Sequence, residues 1–276
     1  MLEEIFEYPF LIKIFNSLLT DKEKINIISV NKYINQNKYK LKFYEQKHCR
    51  PSDWKRWYFD CLTKIEISVL FKLPQLITHL KINEIIEIVE KEDIPESVTH
   101  YHVKNKGKFK ISEIFIPRFC THLYIKNFSC QHHLTKNVTH LEINHYDDSE
   151  FHVPKSVTHL KINCKILCIK SKTLTHLEFR TRAEQINKNL ILNTPNLKCV
   201  TFITFYNFKI FDNFPPSVKY LKFQYTLSDI FNSVDLSNIE RIKLGNYFGL
   251  QFPPHINKIS HYKNNNDLSI AGFKYN

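Results

Sequence analysis

Two hydrophobic periods divide the chain. Near the amino terminus Ile5, Tyr8, Leu11, Ile12, Phe15, Leu18 and Leu19 recur mostly at intervals of three and four, the spacing of one buried stripe on a helix, with Pro9 near its start. The stretch "TDKE" at 20–23 has the form of a capping box and predicts a second helix, with Ile25, Ile28 and Val30 on its apolar face. Tyr33, Ile34, Leu41 and Tyr44 suggest a third helix after Asn31. Helices this short bury too little to stand alone, so the unit is expected to lean on a partner or on the rest of the chain. The segment "CRPSDWKRWYFDCL" at 49–62 breaks the pattern at Pro51 and restarts at a Ser52 or Asp53 cap. Trp54 and Trp57 lie about one helical turn apart there, placed either to plug the open end of the next domain or to anchor a protein partner.

From Leu73 onward the period becomes two, overlaid by a longer repeat. "ITHLKIN" at 77–83 returns as "SVTHYHVK" at 97–104, "CTHLYIK" at 120–126, "NVTHLEIN" at 137–144, "KSVTHLKIN" at 155–163 and "TLTHLEF" at 173–179. Aligned on the central apolar residue, the copies fall at Leu80, Tyr101, Leu123, Leu141, Leu160, Leu177, Val200, Leu221, Ile242 and Ile259, with spacings of 21, 22, 18, 19, 17, 23, 21, 21 and 17. An apolar residue followed by proline precedes many of them, as in Ile94-Pro95, Ile116-Pro117, Val153-Pro154, Phe214-Pro215 and Phe252-Pro253. Proline fixes φ and donates no hydrogen bond, so it belongs in the turn entering each strand. A period near twenty and the L-x-x-L-x-L spacing of Val157, Leu160 and Ile162 lie at the short end of the leucine-rich-repeat range. One such unit cannot bury enough to offset the ordering of its own backbone, so the copies must stack. Ten of them predict one continuous parallel sheet about 45 Å long at roughly 4.8 Å per strand.

In x-L-x-I the aliphatic residues point inward and their neighbours point out of the opposite face. The first outward column reads His79, His100, His122, His140, His159 and His176, then Cys199, Tyr220, Arg241 and Lys258. The second reads Lys81, His102, Tyr124, Glu142, Lys161, Glu178, Thr201, Lys222, Lys243 and Ser260. A residue repeated on every rung cannot tell a partner which rung it touches. The uniform column therefore reads as structure: stacked neutral imidazoles bridging rungs through hydrogen bonds, uncharged at pH 7 because charging neighbours about 5 Å apart costs roughly 1–3 kcal/mol per pair. The variable column, with Lys81, His102, Tyr124, Glu142, Lys161, Glu178, Lys222 and Lys243, is the candidate partner-binding face.

Composition narrows the chemistry further. A chain of 276 residues can bury a large core. Its net charge of +12 is scattered, with no run of five or six like charges, and reads as a solvated surface; nucleic acid is not an expected partner. The seven cysteines are odd in number and indicate a reducing compartment. "MLEEIFEYPF" is acidic where a signal peptide is basic, and no stretch approaches the roughly 18 apolar residues that span a bilayer. A soluble cytoplasmic protein without a membrane partner is expected. The four glycines form no phosphate-binding loop, and neither a GxSxG elbow nor an HExxH helix occurs, so neither catalytic residues nor cofactors are expected and the chain reads as no enzyme. "CQHH" at 130–133 and "CKILC" at 164–168 lack paired C-x2-C spacing, so no metal site is expected; Cys120 reads as a small core residue.

"IPESVTH", "VPKSVTHLKIN" and "FPPSVKYLKF", with "IFNSV" at 230–234, resemble the FNIP repeat, a leucine-rich-repeat relative found in social amoebae and in giant viruses that infect amoebae. Pro9, Leu11, Ile12, Ile14, Phe15, Leu18 and "SVNKYI" at 29–34 are similar to the F-box pattern, with Tyr8-Pro9 in place of the leading Leu-Pro. The resemblance implies an α+β chain: a small F-box-like helical segment at 1–47, a linker and amino-terminal cap at 48–70, a parallel solenoid of FNIP, leucine-rich-like repeats at 71–262, and a carboxy-terminal cap or tail at 263–276. It also implies a substrate-recognition subunit of a cullin-type ubiquitin ligase, in host cytoplasm if viral. Pro9, Leu11, Ile12, Phe15 and Leu18 would dock the adaptor protein, and the repeats would hold a target protein. Outside that complex the chain would be a monomer. The alternative from the residues themselves is a protein-binding repeat scaffold whose amino-terminal helices only cap the coil, with no link to ubiquitin.

Overall fold

Pro9 opens helix α1 (Pro9–Leu18), as a residue with fixed φ and no N–H to satisfy can. A computed structural model describes residues 9–30, 41–43, 47–49, 62–68, 72–85, 94–105, 115–128, 135–145, 153–163, 168–181, 191–204, 214–223, 235–245, 256 and 258–261. They belong to two units, Met1–Tyr124 and Ile125–Asn276.

In the first unit the predicted capping box starts helix α2 (Asp21–Val30). The Glu23 amide donates to Thr20 Oγ1 at 3.3 Å, and the Thr20 amide and hydroxyl donate back to Glu23 Oε2 at 2.8 and 2.7 Å. Those bonds hold the Glu23 carboxyl below its ordinary range. The expected third helix does not reach residue 41. Leu41 and Phe43 are buried on either side of exposed Lys42, a period of two, and Phe43 forms a parallel bridge to Leu62. Strand β1 (Lys47–Cys49) then pairs in parallel with β2 (Lys64–Ile67), which pairs with β3 (His79–Ile85), followed by β4 (His100–Asn105). The coil thus begins upstream of residue 71, inside the stretch expected to be helix and linker. Its signal is a repeat without proline or histidine: Thr63, Lys64, Ile65 and Ile67 occupy the positions of Thr78, His79, Leu80 and Ile82. Tyr33, Ile34, Tyr44, the proposed helix with Trp54 and Trp57, "CQHH" at 130–133 and the tail at 263–276 lie outside the described residues.

Strand β5 (His122–Phe128) runs through the division between the units. The second unit continues with β6 (His140–His145), β7 (His159–Asn163), β8 (Cys168–Lys170), β9 (His176–Thr181), β10 (Ile191–Asn193), β11 (Cys199–Thr204), β12 (Tyr220–Phe223), β13 (Arg241–Leu244) and β14 (Lys258–His261). Strands β6, β7, β9, β11, β12, β13 and β14 pair in that order, all parallel, and the predicted register holds: Leu141, Leu160, Leu177, Val200, Leu221, Ile242 and Ile259 are successive cross-strand partners. Strands β8 and β10 form a separate parallel pair. The aliphatic columns are sealed from Leu141 through Ile242, while Ile259 on the last strand is 42% exposed. Strands β6, β7, β11, β12 and β13 are each entered through a tight turn whose first residue, the expected proline before β7 and β12, accepts from an amide three residues on, as in Val157 N to Pro154 O at 3.0 Å and Val218 N to Pro215 O at 2.9 Å.

Candidate interaction face

The turn delivers two consecutive amides to one acceptor. Thr99 N and His100 N both donate to Thr78 O, Thr175 N and His176 N both to Thr158 O, and the pattern persists where the residue types change, with Lys219 N and Tyr220 N donating to Lys198 O. This fork sets the following residues with alternate side chains inward and outward, as in the buried Leu160 and Ile162 and the half-buried His159, Lys161 and Asn163 of β7.

The histidines of the first outward column stack face to face. Ring centroids lie 4.0 Å apart for His79 and His100, 4.1 Å for His100 and His122, 4.1 Å for His140 and His159 and 4.3 Å for His159 and His176, with planes within 13° of parallel. The imidazoles stack as expected; each Nδ1 meets the threonine of its own rung at 2.9–3.0 Å, and it is the threonine hydroxyl that bonds to the preceding rung, as Thr99 and Thr158 do at 3.3 Å. A ring whose nitrogen lies in its own plane cannot aim it at a ring stacked above. The Thr175 hydroxyl donates to Thr158 O at 3.0 Å, so the His176 Nδ1–H donates into Thr175 Oγ1 at 2.9 Å. Burial pushes His79 down to about 4, helped by the charges of Lys64 and His122, and His176 down to about 4, helped by His159, Lys222 and Lys198; burial also lowers His159. These rings are neutral at pH 7.

The second column alternates in charge over much of its length. Lys81 reaches Glu66 at 3.0 Å in the first unit, and Asn83 Nδ2 donates to the same carboxylate at 2.6 Å. In the second unit Lys161 lies between Glu142 at 3.0 Å and Glu178 at 3.4 Å, and Arg180 Nε also reaches Glu178, at 3.2 Å. Glu178 is withdrawn from the surface altogether, at 0% exposure, and so serves the ladder in place of the partner face for which it was a candidate. Burial raises the Glu142 carboxyl above its usual range against the pull of Lys161. His102 is buried with its ring 3.7 Å from that of Tyr124. Beyond Glu178 the column carries Thr201, Lys222 and Lys243, and the Lys222 ammonium stands 5.2 Å from the Tyr220 ring.

The helical candidates divide between two faces of α1. Phe15 and Asn16 are buried, Ile12 and Leu19 half-buried, whereas Ile14 is exposed and Leu18 is 75% exposed, with half-buried Leu11 on the same stripe. Pro9 is the first residue of the helix. Two residues that periodicity does not mark join the helices to the coil: Lys42 N donates to Asn16 Oδ1 at 2.9 Å, and Lys24 Nζ donates to Lys42 O at 2.9 Å while pairing with Asp21 at 3.5 Å. They bind both backbone groups of Lys42 beside the first bridge of the ladder. A polar residue on an otherwise buried stripe, Asn16 beside Phe15, is the available signal.

Among the described residues no group of three or more His, Cys, Asp or Glu is placed to hold a metal ion. Burial pushes the Cys120 thiol up to about 12 and raises that of Cys199, which keeps both protonated and poorly nucleophilic.

Neither a protein-family model nor a curated protein matches the chain. Among solved structures it is similar to that of the giant-virus protein CroV588, described as a novel circular LRR protein structure, with a TM-score of 0.48 and 20% sequence identity over 73% of this chain and 34% of that one. The chain thus spans about a third of that protein's length.

Proposed function

We propose that the protein is a protein-binding scaffold whose partner lies on the outward face of the parallel sheet. The observation that carries this reading is the contrast between the two outward columns. Turn, backbone fork and Thr-His pair repeat from rung to rung, while the neighbouring column changes from Glu66 and Lys81 to His102 and Tyr124 in one unit, and from Glu142 and Lys161 to Lys222 and Lys243 in the other. Only a changing column can fix the register of a partner along a repeated surface. A photo-crosslinking residue at Tyr124 or Lys81, in cells that make the protein, is expected to give adducts with another protein that the same residue at Gln75, on the turn side, does not. Equal adducts at all three positions would refute the assignment to the sheet face.

A finer reading makes the scaffold the substrate receptor of a cullin-type ubiquitin ligase. It is supported by exposed Ile14 and Leu18 with half-buried Leu11 beside them, a stripe that lies opposite the residues that hold the coil and leaves an apolar surface for an adaptor. The grip of Asn16 and Lys24 on Lys42 supports the simpler role of an end cap, and one helix can do both. Leu18→Asp with Ile14→Asp is the informative substitution, since buried Phe15 would disturb the fold. Loss of adaptor capture with an unchanged thermal melt supports the ligase role; no capture by the unsubstituted chain removes it.

A further inference from the structure

Charge that is scattered in chain order is gathered into a line by the fold. Lys136, Lys155 and Lys172 each lie four residues before the histidine that opens β6, β7 and β9. Those histidines, His140, His159 and His176, are cross-strand partners, so the three lysines fall at one position on successive rungs. Lys198 and Lys219 carry the row on to the next two rungs from the residue just before β11 and β12. All five are exposed. Residues 19, 17, 26 and 21 apart in sequence thereby form one row about 19 Å long at roughly 4.8 Å per rung. Lys219 has Glu240 at 3.7 Å; among the described residues no carboxylate pairs with the other four. The entry edge of the first unit is built differently. There the same position holds Gln75, Glu96 and Arg118, and the residue that follows is Leu76, Ser97 or Phe119, with Leu76 47% and Phe119 54% exposed. Along the lysine row that following residue is Asn137, Ser156, Thr173, Asn196 or Ser217.

We infer that Lys136, Lys155, Lys172, Lys198 and Lys219 form a binding edge for the phosphate backbone of a double-stranded nucleic acid. This goes beyond the scaffold reading and does not rest on it, since the entry edge and the outward sheet face share none of these residues. Charge complementarity is the first argument: a line of exposed cations meets a line of phosphates. Uniformity is the second. A row of one residue type fixes no register, which suits a partner whose own charge repeats on every unit, and lysine flanked by Ser, Thr and Asn is the set of side chains that contacts phosphate and sugar. An acidic protein fits less well. Protein interfaces centre on apolar or aromatic anchors, and among the described residues of this edge no large hydrophobic side chain is exposed, in contrast to Leu76 and Phe119 on the other. A single strand fits less well for a related reason, because its bases need open aromatic rings on which to stack.

The test uses the full chain and a short fluorescein-labelled DNA duplex, followed by anisotropy as salt is raised. The logarithm of the affinity is expected to fall linearly with the logarithm of the salt concentration, with a slope of about −3 to −4 for the four unpaired lysines, and alike for duplexes of unrelated sequence. Lys136→Gln, Lys155→Gln and Lys172→Gln together should weaken binding on the order of tenfold or more at low salt and make the slope shallower by about 3. Lys136→Arg, Lys155→Arg and Lys172→Arg keep the charge and keep both values, and Lys22→Gln, on exposed α2 in the other unit, changes neither. A thermal melt shared by all variants ties the loss to charge. No duplex binding, a slope unmoved by the three glutamines, or an arginine variant that melts normally yet binds as poorly as the glutamine variant overturns the edge. Tighter binding of a poly-Glu peptide of equal charge through the same lysines also overturns it and assigns an acidic protein. Tighter binding of an oligothymidylate overturns the duplex and assigns a single strand.

Discussion

Strands β6, β7 and β9 and strands β11–β14 belong to the same unit and share one parallel register, and their aliphatic columns are buried through β13, yet their outward faces differ. On the first set, histidines stack and charges alternate, so every rung's face is bound to its neighbours. On the second, histidine gives way to Cys199, Tyr220, Arg241 and Lys258, and cations face cations. Since the backbone forks of β7 and β9 recur at β11, β12 and β13, the difference is not needed to build the coil. Face and core are therefore separable.

If the core is common to both stretches, Leu160→Ala and Leu221→Ala, each wholly buried, should cost alike, about 2–5 kcal/mol in urea unfolding. A much smaller loss for Leu221 would mean that the later strands are not packed as the earlier ones are. The faces should then differ where the cores agree. Glu178→Ala strips Lys161 and Arg180 of a shared buried carboxylate and is expected to cost about 2–3 kcal/mol, less than for a fully buried pair because Arg180 is 42% exposed and Lys161 keeps Glu142. Two rungs on in the same column, Lys222→Ala should stay within about 0.5 kcal/mol.

Acid should act on the histidine rungs. His79 and His176 have folded values near 4, against about 6.5 unfolded. Between those values the unfolded chain binds the proton and the folded chain does not, so stability is complete above about pH 6.5 and is lost as pH falls toward 4. Allowing for rings that are partly open to solvent, the loss is about 1 kcal/mol each, or a melting temperature lower by roughly 5 °C in all. Glu142, raised in the folded state, works in the opposite sense and gains stability as pH falls. His79→Gln with His176→Gln should flatten the curve; an unchanged slope would remove the histidines from the account. The smallest effect carries the opposite sign. Arg241→Glu places a carboxylate across from Lys258 and should raise stability by about 0.5 kcal/mol, a gain that fades in high salt.

Most of the coil could be read along the chain because its repeats agree in phase: Leu141, Leu160, Leu177 and Val200 align by sequence and are partners in the sheet. The missed rungs, Leu41–Phe43 and Lys64–Ile67, carry the same alternation without the Thr-His and proline markers, and Leu41 reads as helical because its neighbours offer intervals near four as well as two. The candidate face was readable as a column, but not as chemistry. That Lys161 lies between two carboxylates follows from the register, whereas the complete burial of Glu178 does not.

What the amino-acid order determined by itself was the inside of this protein. Alternation decides which side chains point inward, and the roughly twenty-residue period decides which of them meet, because both are local properties of the backbone repeated many times. The tertiary structure decided how the outside is satisfied. Whether a carboxylate is sheltered and which side chains hold Lys42 at the start of the ladder depend on distances of about 3 Å between groups far apart in the chain. Only packing sets distances of that kind.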